Sequence, residues 1–484
     1  MNLNKPQYKI FTSRKELNLM LCGVGTGKSH CAGYLSYFYV QRFPHVKGFI
    51  GANTYSQLDK ATVERCKEVW KSHGIREYSR ENPSGLYVSN CQPPAHFKTD
   101  LHNIDDYRGT ICFINGGLVF TGSMDNAKAH DGKQFAWMIL DETKDTKEED
   151  VKDIMIPRVR QTGIYLKPNG DLTANKSEGV DFNPIYFLTT PAKVQWLNKL
   201  FDLENHISEI EAKIYDKNNC LEINTGNKKV VIASSYHNEK NLPKNYISNY
   251  IATNSEERIK ALIYGNPFSS SGGEFYSSFS RLKHVNAEIK YNPALPIHVS
   301  FDQNTVPYNS CSVWQIYPQG ERWLLLCVGE ITLKNPNNST EEVCDEILRQ
   351  YGDCPMIFYY GDASGYNRST LDKETKHHYQ VIERILRPKL TNTSNRTTRK
   401  NDPLTLRRDV MNAIFEDKSK IIVQISPKCS NLVADLIYIK QDVDGGKKKE
   451  MEKNKDTGER YQKYGHLSDT SDYFIMFIHK MLNQ

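Results

Sequence analysis

The chain has 484 residues, 38% hydrophobic and 25% charged, with a formal net charge of +6. That make-up suits a globular protein with room for two or three cores and excludes fibrous, collagen-like and disordered classes. Eleven cysteines run from Cys22 to Cys429 without one Cys-x-x-Cys pair, so neither a zinc cage nor a disulfide framework is expected, only reduced, buried thiols.

No apolar run reaches the roughly 18 residues that a membrane span needs. The first six residues, Met1-Asn2-Leu3-Asn4-Lys5-Pro6, lack the apolar core of a signal peptide. A soluble intracellular protein is the expectation.

Residues 17–264 read as strands alternating with helices, the mark of a parallel sheet covered on both faces. A short apolar strand at 17–22 runs into a Gly-rich turn. Residues 55–72 predict a helix, 111–120 a hairpin around Asn115-Gly116-Gly117, 135–140 a buried strand and 185–189 another. Residues 202–264 read as a mostly helical, polar lid. Composition then breaks at Gly265-Asn266-Pro267 and Ser269-Ser270-Ser271-Gly272-Gly273, residues that suit a flexible linker. The expected division is a first domain at 1–265, a linker at 266–284 and a second domain at 285–484.

In that second domain 297–301, 311–317 and 322–331 predict three antiparallel strands. A helix at 340–351, a strand at 356–360, a helix at 369–386, a strand at 421–425 and helices at 429–439 and 467–482 follow. Three antiparallel strands and then helix–strand–helix–strand–helix is the order of an RNase H-like nuclease core. The fold class expected is α/β throughout: a parallel-sheet domain whose first strand runs into Gly23-Val24-Gly25-Thr26-Gly27-Lys28-Ser29, the pattern of a P-loop ATPase, then an RNase H-like domain.

Gly23-Val24-Gly25-Thr26-Gly27-Lys28-Ser29 lies between the first strand and a helix. Successive backbone N–H groups in such a loop wrap a β-phosphate, and glycines allow the close approach. Lys28 would pair the β- and γ-phosphates of ATP, and the Ser29 hydroxyl would ligate Mg²⁺. Cys22 stands where the motif has its first Gly.

The run Phe135-Ala136-Trp137-Met138-Ile139-Leu140 ends in Asp141-Glu142. Asp141 would hold the Mg²⁺ through water, and Glu142 would polarise the attacking water. Gln7, ahead of the first strand, is a candidate reader of the adenine edge. Thr189-Thr190, closing the strand after the acids, are candidates for sensing the γ-phosphate and coupling its loss to movement.

Asp302 ends the first strand of the second domain, and Asp362 ends the fourth. In an RNase H-like sheet those strands are neighbours, so the two carboxylates converge. His466-Leu467-Ser468-Asp469 opens the last helix. Oxygen-rich ligands of this kind suit a pair of Mg²⁺ or Mn²⁺ ions that activate water for phosphodiester cleavage. A wheel of roughly 100° per residue places Asp469 beside His466 at the edge of an apolar stripe, while Asp472 points to solvent.

Residues 383–400 carry Arg384, Arg387, Lys389, Arg396, Arg399 and Lys400 against the single acid Glu383. A hairpin around 391–398 would follow a DNA backbone with Arg396, Arg399 and Lys400. Lys447-Lys448-Lys449 is a second basic run, of a kind that is most often solvated.

Taken in order, these pieces resemble the large terminase subunits of tailed bacteriophages. The resemblance takes in Gln7, the loop at 22–29, Ile139-Leu140-Asp141-Glu142, Thr189-Thr190-Pro191 and Tyr264-Gly265-Asn266-Pro267. It continues through Phe301-Asp302-Gln303-Asn304, Gly361-Asp362-Ala363-Ser364-Gly365, Ile425-Ser426-Pro427-Lys428-Cys429 and His466-Leu467-Ser468-Asp469.

The resemblance implies ATP-driven packaging of double-stranded DNA into a procapsid and metal-dependent endonuclease cuts that start and end it. It also implies a small terminase subunit, a portal protein and a ring of copies, a pentamer, at work. Many family members carry a trans-acting Arg before a Gly upstream of the acids. Here Asp131 precedes Gly132, leaving Arg108, Arg158 and Arg160 as guesses. Two other readings compete: a DNA helicase or remodelling ATPase whose C-terminal domain only binds DNA, and a nuclease that uses ATP as an assembly switch.

Overall fold

Apolar runs of five or six residues, too short for helices, lay down the first sheet. The structure, a computed structural model, describes residues 2–97, 100–191, 194–269, 272–303, 306–367, 377–388, 392–453 and 458–483. The chain divides into two units, 1–271 and 272–484.

The strands of the first unit are β1 Leu17–Cys22, β2 Lys47–Ala52, β3 Tyr87–Ser89, β4 Thr110–Phe113, β5 Leu118–Ser123 and β6 Trp137–Asp141. They continue as β7 Tyr165–Leu166, β8 Leu172–Thr173, β9 Val180–Asp181, β10 Ile185–Thr189, β11 Leu221–Thr225 and β12 Lys228–Ala233. Nine of them form one sheet in the order β11-β12-β1-β10-β6-β2-β5-β4-β3. The run from β12 to β5 is parallel, and β11, β4 and β3 are antiparallel additions at the edges.

Both faces are covered, as a parallel sheet requires. Met20 and Ile139 pack with Leu35, Tyr39 and Trp70 of the helices Lys28–Arg42 and Glu64–Ser72. Leu19, Leu140 and Phe187 face Leu197, Phe201 and Ile210 on the other side.

The expected hairpin is β4–β5, and the helix at 55–72 is helical throughout, with a π-helical turn at Leu58–Val63. Residues 202–264 correct the expectation of a mostly helical lid. Leu221–Thr225 and Lys228–Ala233 turn at Gly226, which has a φ of 57°, and β12 joins the sheet between β11 and β1. Val230, Val231 and Ile232 are all buried, so the segment reads as a strand covered on both faces. Only its flanks are helical.

The second unit builds a six-stranded sheet from β13 Ile297–Asp302, β14 Asn309–Gln319, β15 Arg322–Leu333, β16 Ile357–Gly361, β17 Thr393–Asn395 and β18 Ile421–Ile425. Its order is β17-β16-β13-β14-β15-β18. β13, β14 and β15 are an antiparallel meander and β16 runs parallel to β13, which is the RNase H-like arrangement.

The fifth place beside β16 belongs to β17. The strand expected at 421–425 is β18, and it pairs with β15 at the opposite edge. The expected hairpin at 391–398 is therefore a single short parallel strand; residue 391 lies outside the described residues, as do Lys389, Asn304 and 369–376 of the expected helix at 369–386. A small hairpin, β19 Met451–Lys453 with β20 Arg460–Gln462, precedes the last helix, His466–Leu482.

The segment 266–284 also departs from the linker expected there. Asn266 is buried and its amide donates to Glu211 at 2.6 Å in the first unit. Phe275, Tyr276 and Phe279 belong to the core of the second. The Ser-Gly composition at 269–273 concealed these aromatic anchors.

Candidate active sites

β1 delivers the chain into the loop at 23–27, and the helix Lys28–Arg42 leaves it. The loop is tied from outside by its carbonyls. Thr26 Oγ1 donates to Gly23 O at 2.9 Å, Ser235 Oγ to Val24 O at 2.6 Å and Asn238 Nδ2 to Gly25 O at 2.7 Å. Asn4 Nδ2 donates to Thr26 O at 2.9 Å and Gln7 Nε2 to Gly27 O at 2.8 Å. Among the described residues, the N–H groups of Gly25 through Ser29 have no protein acceptor, and the helix has no side-chain cap. Five open donors at a helix N-terminus form an anion site.

Two glycines are required there. A Cβ at Gly23 would lie 2.4 Å from Ile263 O, and Gly27 has a φ of 81° with Gln7 Nε2 2.6 Å from where its Cβ would be.

Gln7, expected to read adenine, is 5% exposed, and its amide also accepts from Asn4 N–H in a capping box. Its place is under the loop. The helix Lys5–Phe11 buries it there. A groove of about 400 Å³ lies near the loop, lined by Pro243, Asn245, Tyr246, Asn249, Tyr250 and Thr253. Leu242 and Tyr246 are the side chains that a Cβ at Gly25 would meet.

Lys28 Nζ donates to Cys22 O at 3.3 Å and Gly23 O at 3.2 Å, held back over the loop. Cys22 itself is fully buried, and burial raises its thiol to about 12, so it stays neutral beside the phosphate site.

Asp141 ends β6 at 1% exposure. Its Oδ2 accepts from Ser29 Oγ at 2.8 Å and from Thr62 Oγ1 at 2.9 Å. Thr62 sits in the π-helical turn, which the sequence reading did not single out; such turns mark functional positions often enough to be a signal. Burial, and then the neighbouring Glu142 charge, raise the Asp141 carboxyl against the opposing pull of Ser29, Thr62 and Lys28. A hydroxyl and a buried carboxylate in contact, with oxygen donors only, fit a Mg²⁺ site.

Glu142 follows with a φ of 49°, a left-handed conformation uncommon for a residue with a Cβ. β10 lies between β1 and β6, so Thr189 and Thr190 fall between the loop and the acids. Thr190 Oγ1 donates to Glu142 Oε2 at 3.3 Å, and Lys144 N–H donates to Thr189 Oγ1 at 3.1 Å. Of the three arginines, Arg158 pairs with Asp131 and Arg108 with Asp106.

In the second unit, β13 and β16 end side by side with Phe301 opposite Gly361, which places Asp302 and Asp362 on neighbouring strand ends. His466 Nδ1 lies 3.3 Å from Asp302 Oδ2. Burial works against it, but the adjoining Asp302 raises the His466 pKa. Asp362 accepts from Tyr473 Oη at 2.6 Å, Ser364 N–H at 2.6 Å and Asn401 Nδ2 at 3.0 Å. Burial favours its neutral form, yet those donors hold its pKa below the ordinary value.

Tyr473 is the residue the acids share. Burial first, and then the charges of Asp469, Asp302 and Asp362, push its hydroxyl far up. It sits one helical turn beyond Asp469, and the apolar stripe that the wheel drew concealed its hydroxyl.

Asp469 accepts from Lys447 Nζ at 2.8 Å and lies 3.9 Å from Arg407 Nη1. Asp472 corrects the wheel. Its side chain is fully buried, accepting from Tyr276 Oη at 2.8 Å, with Lys447 Nζ 2.8 Å away. The helix His466–Leu482 also buries Ser468, Thr470 and Ser471, so its polar face is inside too.

The donor chemistry suits a divalent ion, but the side chains are engaged elsewhere. Among the described residues, no three of His, Cys, Asp and Glu come together to hold a metal.

Arg396, Arg399 and Lys400 are exposed. The Arg399 guanidinium lies 3.8 Å from the Tyr366 ring centre and that of Arg396 5.4 Å from the Phe358 ring centre. Asn401, next in sequence, donates to Asp362 at 3.0 Å, so this basic segment abuts an acid of the candidate cleavage site. Arg384 and Arg387, by contrast, pair with Glu341 and Glu383.

No helix among the described residues is long and apolar enough to cross a membrane. No protein-family model matches the chain, and no curated protein matches it in sequence. Among solved structures it is similar to a large terminase from a thermophilic bacteriophage, at 16% identity and a TM-score of 0.38 over 99% of each chain. It is similar to the large terminase ATPase domain of Thermus phage P74-26 at 14% identity and a TM-score of 0.34, over 55% of this chain and 94% of that one. The nuclease domain of the P22 large terminase is similar at 6% identity and a TM-score of 0.30, over 44% of this chain and 98% of that one. These three solved structures are a phage large terminase, a large terminase ATPase domain and a large terminase nuclease domain.

Proposed function

We propose that the first unit hydrolyses ATP and that the hydrolysis drives translocation of double-stranded DNA, as in the packaging of a viral genome into a procapsid. The observation that carries this is the pairing of Ser29 with Asp141 at 2.8 Å beside five open backbone donors. The N–H groups of Gly25 to Ser29 take the β-phosphate, and Lys28 leaves its two carbonyls for the phosphate oxygens. Mg²⁺, held by Ser29 and Asp141, would supply charge neutralisation on the phosphates. Tyr246 and Tyr250 offer the base an aromatic wall close to the loop.

Glu142 orients the attacking water and takes its proton as the terminal phosphate leaves ADP. Thr190, bonded to Glu142, and Thr189, bonded to the backbone of Lys144, carry the change toward 143–146. A small terminase subunit, a portal and a pentameric ring are partners on this reading. The experiment is ATP turnover by the full chain with and without double-stranded DNA. Turnover that ignores DNA and survives Lys28→Ala would sink it.

The second unit is read as an endonuclease that cuts the DNA being packaged, with Asp302, Asp362 and Asp469 as its carboxylates, His466 beside them and two Mg²⁺ or Mn²⁺ ions as its cofactors. The basic segment at Arg396, Arg399 and Lys400 leads DNA to it. One observation favours the alternative, a helicase or remodelling ATPase with a non-catalytic C-terminal domain: each of those carboxylates already has a protein partner. Mn²⁺-dependent nicking of supercoiled DNA by the full chain, abolished in Asp302→Asn, decides between them. A chain that binds DNA and never nicks it is the alternative.

A further inference from the structure

Lys447 begins a run of three lysines that invites the reading of a solvated patch, yet its side chain is only 4% exposed. Its ammonium donates to Ser468 Oγ at 2.9 Å and Asp469 Oδ1 at 2.8 Å, and it lies 2.8 Å from Asp472 Oδ2. Three acceptors saturate an ammonium. The Phe275 and Tyr276 ring centres lie 5.3 and 5.2 Å away and close the remaining side.

The backbone is fixed as well: Lys447 bridges to Gln441, and Lys448 N–H donates to Lys440 O at 2.8 Å. Asp472 is fully buried, and Tyr276 donates to both of its oxygens, so its charge has Lys447 as its close counterion. Asp469 differs. Its side chain is 24% exposed, and Tyr473, which touches Asp362, feels its charge.

One carboxylate, Asp472, therefore anchors the lysine, and the other, Asp469, is shared between the lysine and the candidate cleavage site. We propose that Lys447 is a resident counter-cation, anchored by Asp472, that competes with divalent metal for Asp469 and so sets the metal affinity of the second unit. This rests on reading Asp469 as a carboxylate of the cleavage site. A buried charge left alone is strongly unfavourable, so lysine and anchor must be removed together.

The test is Mn²⁺ binding by the nucleotide-free full chain, followed by electron paramagnetic resonance. In Lys447→Met/Asp472→Leu, which removes the pair as a unit, Mn²⁺ should bind at least about tenfold more tightly, the scale set by losing an opposing charge in contact with a ligand. The gain should vanish when Asp469→Asn is added. Lys447→Arg keeps the charge and should keep wild-type affinity.

If the double variant does not fold, Lys447→Gln/Asp472→Asn, neutral and similar in shape, carries the same expectation. Unchanged affinity in a folded variant overturns the proposal and leaves Lys447 structural. A wild-type chain with no Mn²⁺ site sensitive to Asp302→Asn overturns the nuclease reading itself, and this proposal with it. That outcome differs from the first, in which the Asp302-dependent site is present and indifferent to Lys447.

Discussion

Lys28 rests on two carbonyls of its own loop, at 3.2 and 3.3 Å, so little reorganisation separates it from a phosphate. Glu142 is held by its neighbour Thr190 and by a left-handed backbone. Lys28→Ala removes a phosphate contact, and Glu142→Gln removes the group that takes the water's proton. Each should cut ATP turnover by on the order of a hundredfold or more while leaving Mn²⁺-dependent nicking intact. Near-normal turnover in either variant, measured as released phosphate, refutes the site assignment.

At the other end of the chain, Asp472→Ala would leave Lys447 with one carboxylate where it had two and Tyr276 without its acceptor. Breaking a buried pair in this way costs about 3–5 kcal/mol, so a marked fall in the thermal midpoint of the second unit is expected. An unchanged midpoint would mean that Asp472 is not a buried anchor.

The segment Thr393–Asn395 and the residues after it work as an element, because β17 pins one end to β16 and Asn401 pins the other to Asp362. Neutralising Arg396, Arg399 and Lys400 should weaken DNA binding alike for all sequences and lower the slope of log K against log salt, since each phosphate contact contributes counterion release. A filter-binding series with an unchanged slope would move the DNA path elsewhere.

The same segment shows what sequence alone makes legible. Three arginines and lysines in five residues announce a phosphate-binding run, and turn residues flank it. Nothing local says that residues 393–395 add a parallel strand to β16, because that pairing is set by tertiary context. That the loop at 22–29 lies between a strand and a helix, with Asp141 at a strand end, was readable because short apolar runs and a Gly-rich turn mark those elements locally. The burial of Gln7 was not, since it depends on its ties to Asn4 and Gly27. A wheel built on apolar residues could not anticipate Asp472, because its polar partners, Lys447 and Tyr276, come from 25 and 196 residues away along the chain.

At the scale of the whole molecule, burial of neutral histidines links the two units to pH. Burial lowers His130 in the first unit from its ordinary 6.5 to about 4, with Lys133 adding to the effect. Burial lowers His284 and His298 in the second to about 4 as well, helped by Lys283 and Arg396. For each, the unfolded chain takes up a proton near 6.5 and the folded one only near 4. The stability they contribute is therefore present above about 6.5 and lost as pH falls through that window. Asp435 has the opposite sign. Burial raises its carboxyl from 3.8 to about 6 even though backbone N–H groups at the start of the last helix hold its charged form. Its contribution is fully present below 3.8 and is lost as pH rises through 6, which blunts the acid loss in the second unit. The difference between variants isolates one term. Among the described residues neither ring nitrogen of His130 has a hydrogen-bond partner, and the ring packs edge-on against Phe49 at 4.9 Å, so His130→Phe should fold. Its thermal midpoint relative to the wild type should climb steadily from pH 7 to pH 4.5, in the first unit alone. A midpoint difference that stays constant over that range would show that His130 protonates in the folded chain as readily as in the unfolded one, and that the apolar packing around it does not exclude the charge.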